Sequence, residues 1–117
     1  MADYSACEQQ AIGDKGSGNG KANLEHVYPQ NPSPAAWPNA AVLEAFTWHI
    51  GNLTILGERL NRNAQNKSFP DKSAQFYKKS EIALTKDLLK YSAWDETAIK
   101  KRGLDLVKAL AKLWPAL

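Results

Sequence analysis

Leu24-Glu25-His26-Val27-Tyr28-Pro29-Gln30 sets an acid and a histidine side by side, three residues ahead of a proline. Successive side chains on a strand point to opposite faces, so Glu25 and His26 serve one site only if a strand ends there and the chain curls. Pro29, Pro32, Pro34 and Pro38 predict that curl. Ahead of the pair, residues 21–27 leave room for one short strand. Downstream, Gly51-Asn52-Leu53-Thr54-Ile55-Leu56 is a second short apolar run, β-branched at Thr54 and Ile55, and reads as the other strand of a hairpin ended by Gly57. Residues 58–66 then open with the helix formers Glu58, Arg59 and Leu60. They place Asn61, nine residues after Asn52, near the start of a helix crossing both strands.

The remaining chain reads as loop and helix. Gly13 to Gly20 holds four glycines with polar residues between them, so residues 1–20 are expected to be a flexible segment after, at most, a weak helical turn. Trp37 is expected to plug the core from the proline-rich loop. Residues 40–47 carry Ala41, Val42, Ala45 and Phe46 at helical spacing, with Asn39 as cap. A helix is predicted over 71–79 behind Pro70, and a second over 80–91 that buries Ile82, Leu84, Leu88 and Leu89. A last helix is capped by Asp95 and closed by Pro115, with Ile99, Leu104, Val107, Leu110, Ala111 and Trp114 on one broad face. The fold class is therefore α+β, mostly helical: a hairpin-plus-helix core over about 21–67 and a helical extension over about 70–114.

Composition bounds the chemistry. A chain of 117 residues, 44% hydrophobic, suffices for one modest core, and no apolar run approaches the length of a membrane span. The amino terminus, with Asp3 and Glu8, lacks the basic and apolar regions of a secretory signal, so a cytoplasmic location is expected. The single Cys7 excludes an internal disulfide and a cysteine-rich zinc knuckle. Any ion must be held by carboxylate, imidazole or amide oxygen, ligands that suit Mg2+ or Mn2+. There is no Gly-rich phosphate loop with a following lysine and no serine or cysteine nucleophile in a recognisable setting.

The ordered set Glu25-His26-Val27-Tyr28-Pro29-Gln30, then His49-Ile50-Gly51-Asn52-Leu53-Thr54-Ile55-Leu56, then Asn61, resembles the HNH or His-Me finger nucleases. The resemblance is nearest to the C-terminal nuclease domain of GmrSD-type modification-dependent restriction endonucleases, and it runs from about Leu24 to Trp114. It implies a ββα-metal core holding one divalent ion over a phosphodiester, DNA as substrate, and products with 5′-phosphate and 3′-hydroxyl ends. It further implies a role in restriction or defence against foreign DNA, with recognition and nucleotide-driven steps in a separate amino-terminal domain or subunit.

By the same resemblance, His26 is the general base, Asn52 braces the His26 loop within the catalytic set, and Glu25 and Asn61 are the metal ligands. An imidazole has an ordinary pKa near ~6.5, and a backbone carbonyl bonded to one ring nitrogen would fix the tautomer that leaves the other free as base. Glu25 stands where many HNH enzymes have aspartate, and its extra methylene alters the distance from backbone to ion. Asn63 and Asn66 lie within two helical turns of Asn61 and remain rivals to it, the nine-residue spacing from Asn52 favouring Asn61. His49, at the entrance of the second strand, is a secondary candidate with a structural or phosphate-contacting role. Each residue also has an ordinary reading: a surface pair for Glu25 and His26, a turn or cap residue for Asn52.

Charge is uneven along the chain. Residues 1–60 carry three Lys/Arg against six Asp/Glu, and residues 61–117 carry twelve against six. Arg62, Lys67, Lys72, Lys78 and Lys79 follow the hairpin closely and are the candidate phosphate contacts, although lysines on helices also simply solvate their faces. Arg102, beside Lys100 and Lys101, is the basic residue expected to turn inward. The alternative reading is a nucleic-acid-binding or assembly module that keeps the HNH frame without turnover.

Overall fold

The computed structural model describes residues 22–113. The segment 1–20, Trp114 and Pro115 lie outside the described residues. Strand β1, Ala22–His26, pairs antiparallel with β2, Leu53–Gly57, in the register Leu24 with Ile55, Glu25 with Thr54 and His26 with Leu53. The short strand left by the sequence is thus sufficient, since all five of its residues are matched across the ladder. Residues directly opposite share a face, so Glu25 and Thr54 lie on the buried side and His26 and Leu53 on the other.

Between the strands come a short helix α1, Ala40–Leu43, and two 3-10 turns, Glu44–Phe46 and Ile50–Asn52. The helix expected over 40–47 is therefore cut to one turn. Its buried residue is Leu43, while Val42 is exposed. Asn39 does not cap it through its side chain; its amide nitrogen donates to the Trp94 carbonyl.

After β2 the chain turns directly into α2, Glu58–Ala64, which packs against both strands and gives the expected strand, strand, helix order. Helix α3, Phe69–Gln75, begins two residues earlier than predicted because Ser68 is its cap: Ser68 Oγ accepts from the Asp71 amide, and Pro70 sits in the first turn where it displaces no bond. The single helix expected over 80–91 is instead a one-turn helix α4, Ala83–Lys86, and a 3-10 turn, Asp87–Lys90. Ile82 and Leu88 are buried as expected, but Leu89 is exposed.

Helix α5, Glu96–Leu113, is capped as predicted, with Asp95 Oδ1 accepting from the Ala98 amide at 2.8 Å. Of its expected broad face, Ile99 is buried but the leucines beyond it are not. Ala98, Ile99, Arg102 and Gly103 turn inward, whereas Leu104 and Val107 are more than half exposed. The reason is close backbone approach: α5 lies on the Ile50–Asn52 turn, and a Cβ on Gly51 would meet the Ile99 carbonyl oxygen. At the closest approach the two backbones meet at glycines, Gly51 and Gly103. Arg102 Nη1 donates to the carbonyls of Gly51 (2.8 Å) and Leu53 (2.6 Å), fastening α5 to the start of β2. Beyond the seam, Leu106 and Leu110 of α5 border an apolar groove whose other wall includes Leu24, Ile50, Ile55 and Leu84.

The core lies between the loop after β1 and the later helices. Val27, Tyr28, Trp37, Leu56, Tyr77 and Trp94 belong to one buried cluster. Trp37 fills it as expected, with its indole N–H donating to the carbonyls of Asn66 (3.2 Å) and Lys67 (3.1 Å).

Candidate functional site

The Glu25-His26 pair occupies the end of β1, where the ladder stops and the chain curls through Pro29. An open polar cleft of about 330 Å³ lies against it, lined by Glu25, His26, Gln30, Asn31, Asn61 and Asn66 among others. Of the three rival asparagines, Asn61 and Asn66 border the cleft, whereas Asn63 does not.

His26 is half-buried, and its Nδ1–H donates to the Thr47 carbonyl at 3.0 Å. A carbonyl only accepts, so neutral His26 carries its proton on Nδ1 and presents an unprotonated Nε2. The indole of Trp48 meets the imidazole edge to face, with ring centres 4.4 Å apart.

Asn52 is fully buried and all its amide positions are used. Oδ1 accepts from the Tyr28 amide (2.7 Å) and the Trp94 indole (2.9 Å); Nδ2 donates to the carbonyls of Tyr28 (2.9 Å) and Thr47 (3.0 Å). The Val27 amide in turn donates to the Asn52 carbonyl at 2.9 Å. Asn52 therefore sutures the loop after β1 to the segment that orients His26. With no exposed atom it can act only by position, which is the bracing role expected of it.

Glu25 is buried at 5% exposure, and its Oε2 accepts from Lys72 Nζ (3.0 Å) and Tyr77 OH (2.7 Å). Lys72 is completely buried and also donates to the carbonyls of His26 (2.9 Å) and Val27 (3.0 Å), using all three ammonium hydrogens. Its expected contact with nucleic-acid phosphate is thus overturned: the ammonium lies inside, beneath the Glu25-His26 turn. Burial pushes the Glu25 carboxyl above its ordinary value, with Lys72 and the Tyr77 hydroxyl pulling the other way. Burial likewise lowers the Lys72 ammonium, opposed by Glu25, and raises the Tyr77 phenol well above its usual value. Removing one member of such a pair strands the other and costs about 3–5 kcal/mol.

Asn61, half-buried on α2, donates through Nδ2 to the Leu24 carbonyl at 3.1 Å. That bond identifies the nitrogen and leaves the amide oxygen as the atom for a cation. His49 lies apart from the cleft: its Nδ1 accepts from the Gly51 amide at 3.0 Å, and its ring packs where a Cβ on Gly103 would come within 2.6 Å. It closes the seam between α5 and the Ile50–Asn52 turn. Of the basic residues, Arg62 is exposed and 3.7 Å from Glu58, and Lys67, Lys78 and Lys79 are exposed.

A family model for the C-terminal domain of GmrSD restriction endonucleases matches residues 3–109. The chain belongs to that family. No curated protein matches it individually. Membership makes it a nuclease domain of the restriction-endonuclease type, with DNA as the implied substrate. Among the described residues no group of three or more His, Cys, Asp or Glu gathers around one point, and no helix is long and apolar enough to cross a membrane.

Sequence reasoning missed Tyr77, Trp94 and Trp48. Tyr77, interleaved with the candidate lysines, reads as a core aromatic, which it is, and its bond to Glu25 had no signal; Trp94 carried none beyond being aromatic. Trp48 had one, as an indole adjoining the His49-Ile50-Gly51-Asn52 run.

Proposed function

We propose that this GmrSD C-terminal domain is a metal-dependent DNA endonuclease of the HNH type, cutting foreign DNA in restriction or defence. The observation that carries the reading is the His26 Nδ1 to Thr47 carbonyl bond, set at a cleft that Glu25 and Asn61 also line. With Nδ1 committed, Nε2 accepts a proton from a water attacking the phosphodiester phosphorus. Thr47 holds the ring while the charge it gains is shared with the carbonyl dipole, and Asn52 holds Thr47.

The residues fit a sparse oxygen-donor site rather than a full protein cage. Oε2 of Glu25 is engaged by Lys72 and Tyr77, so Oε1 and the Asn61 amide oxygen would be the protein atoms to hold an ion, a sparse oxygen set that Mg2+ or Mn2+ would accept. When bound, the ion supplies charge neutralisation at the phosphoryl oxygens and the leaving oxygen. Arg62, Lys67, Lys78 and Lys79 contact flanking phosphates, and recognition resides in a partner domain or subunit, in the cytoplasm. Hydrolysis leaves 5′-phosphate and 3′-hydroxyl ends.

A plasmid-nicking assay with magnesium, manganese and chelator tests the reading. Nicked product is expected with either metal, none in chelator, and a loss on His26→Ala. Cleavage that persists in chelator or survives His26→Ala contradicts the mechanism.

A second reading, a DNA-binding module without turnover, is favoured by one observation: the Glu25 charge is already matched by Lys72. It expects DNA binding that weakens with salt and no product with any metal. Multiple cuts per protein molecule exclude it.

A further inference from the structure

Trp48 is 63% exposed, while Trp37 and Trp94 are 3% and 4% exposed; among the described residues it is the most exposed large apolar side chain. A single exposed apolar side chain needs no explanation by itself; what sets this indole apart is where it stands and what holds it. Its location is the flank of His26, with ring centres 4.4 Å apart at 87°. It is also held there. The carbonyl of the preceding residue, Thr47, accepts from both His26 Nδ1 and Asn52 Nδ2, so the backbone carrying the indole is pinned by the same bonds that orient the base.

We infer that Trp48 is a stacking platform for an unpaired nucleobase of the strand being cut, next to the phosphodiester served by His26. The inference rests on the nuclease reading of His26 and names the form of its substrate. A strand advances roughly 3.4 Å per nucleotide, so a ring 4.4 Å from the imidazole lies within one or two nucleotides of a phosphate at His26. In a duplex both faces of each base are covered by neighbours. Only a single strand or a gap offers an open face to an indole without first breaking the stack, and every base has one, so the contact favours unpaired DNA without selecting sequence. A protein partner is the competing occupant, but the ring packs on His26, which lines the cleft that Gln30, Asn31 and Asn66 also border, and it is not part of the apolar groove beside α5.

The test measures binding of a labelled single-stranded oligonucleotide and of its duplex, in chelator so that nothing is cut, by wild type, Trp48→Ala and Trp48→Phe. Thermal melts of each variant check folding, and Trp48→Phe, which keeps a flat ring, covers the case in which the alanine variant unfolds. Trp48→Ala is expected to weaken single-strand binding roughly 5- to 150-fold, the range of one lost base stack, while leaving duplex affinity unchanged. Trp48→Phe is expected to retain most of it, and tryptophan emission should quench on adding single strand to wild type but not to Trp48→Phe. Equal losses for single strand and duplex, no loss in folded Trp48→Ala, or wild type that binds no single strand each overturn the inference. If Trp48-dependent binding is found but no metal gives cleavage, the nuclease reading fails and the platform stands; if cleavage occurs and Trp48→Ala changes neither binding nor preference, only the platform fails.

Discussion

His26 and Asn52 are hydrogen-bonded to the same oxygen, the Thr47 carbonyl, each at 3.0 Å. The proposed base and the buried brace are thereby one unit. Because Asn52 also bonds Tyr28 and Trp94, the orientation of His26 is linked to the core through a single side chain.

Asn52→Ala leaves the Tyr28 amide and the Trp94 indole without acceptors in a buried site, a loss of about 1–3 kcal/mol for each group. Urea denaturation is expected to show a lower midpoint at unchanged slope, together with reduced cleavage even where the protein is folded. A stability loss under about 1 kcal/mol would mean that water replaces the amide, and the brace would then be dispensable.

His26→Ala and Asn61→Ala should separate proton transfer from ion binding. The first is expected to lower the cleavage rate by roughly 10²- to 10⁴-fold with metal affinity nearly intact. The second is expected to weaken metal binding, whereas Asn61→Asp keeps an oxygen ligand and holds or raises affinity. Calorimetric titration of magnesium or manganese into the variants decides it; the opposite pattern would make His26 the ligand.

Lys72→Met should destabilise the fold by about 3–5 kcal/mol near neutral pH and raise the Glu25 carboxyl further, since both Lys72 contributions that lower it are lost. In the wild type the Glu25 value already lies above its ordinary 4.5. Its share of stability is therefore fully present below pH 4.5 and is lost as pH rises through the folded value. Lys72, lowered from 10.5, contributes stability present above pH 10.5 and lost as pH falls through its folded value. Carboxyl-carbon NMR titration reads the first directly, and a wild-type Glu25 value at or below 4.5 contradicts it. Metal affinity should fall along the same curve as Glu25 takes up its proton.

Gly51→Ala places a methyl against the Ile99 carbonyl oxygen, a backbone atom that cannot rotate away, and should cost about 1–3 kcal/mol or more. Gly103→Ala comes within 2.6 Å of the His49 ring and makes only an ordinary 3.5 Å contact with the Gly51 backbone nitrogen; the ring can turn away at the loss of its bond from the Gly51 amide, so the cost should be less. Thermal melts of the two variants rank them, and the reverse order would contradict the packing of α5 on the Ile50–Asn52 turn.

The sequence by itself determined the hairpin, the crossing helix and the neighbourhood of Glu25, His26 and Asn61, because these depend on local signals: a proline that ends a strand, a β-branched run, a helix start after Gly57. It also determined Asp95 as a cap, since capping acts over three residues. Tertiary structure alone decided which groups each side chain meets. Lys72 reads as one surface lysine among several, and only the approach of α3 to the end of β1, 47 residues away in the chain, turns it inward beneath Glu25. Likewise Ile99 and Arg102 of α5 are buried as expected, but Leu104 and Val107 of the same expected face are exposed and Gly103 is buried instead, because Gly51 lets two backbones come closer than leucines allow. Periodicity reports which residues share a face; close approach between distant segments decides which face is covered.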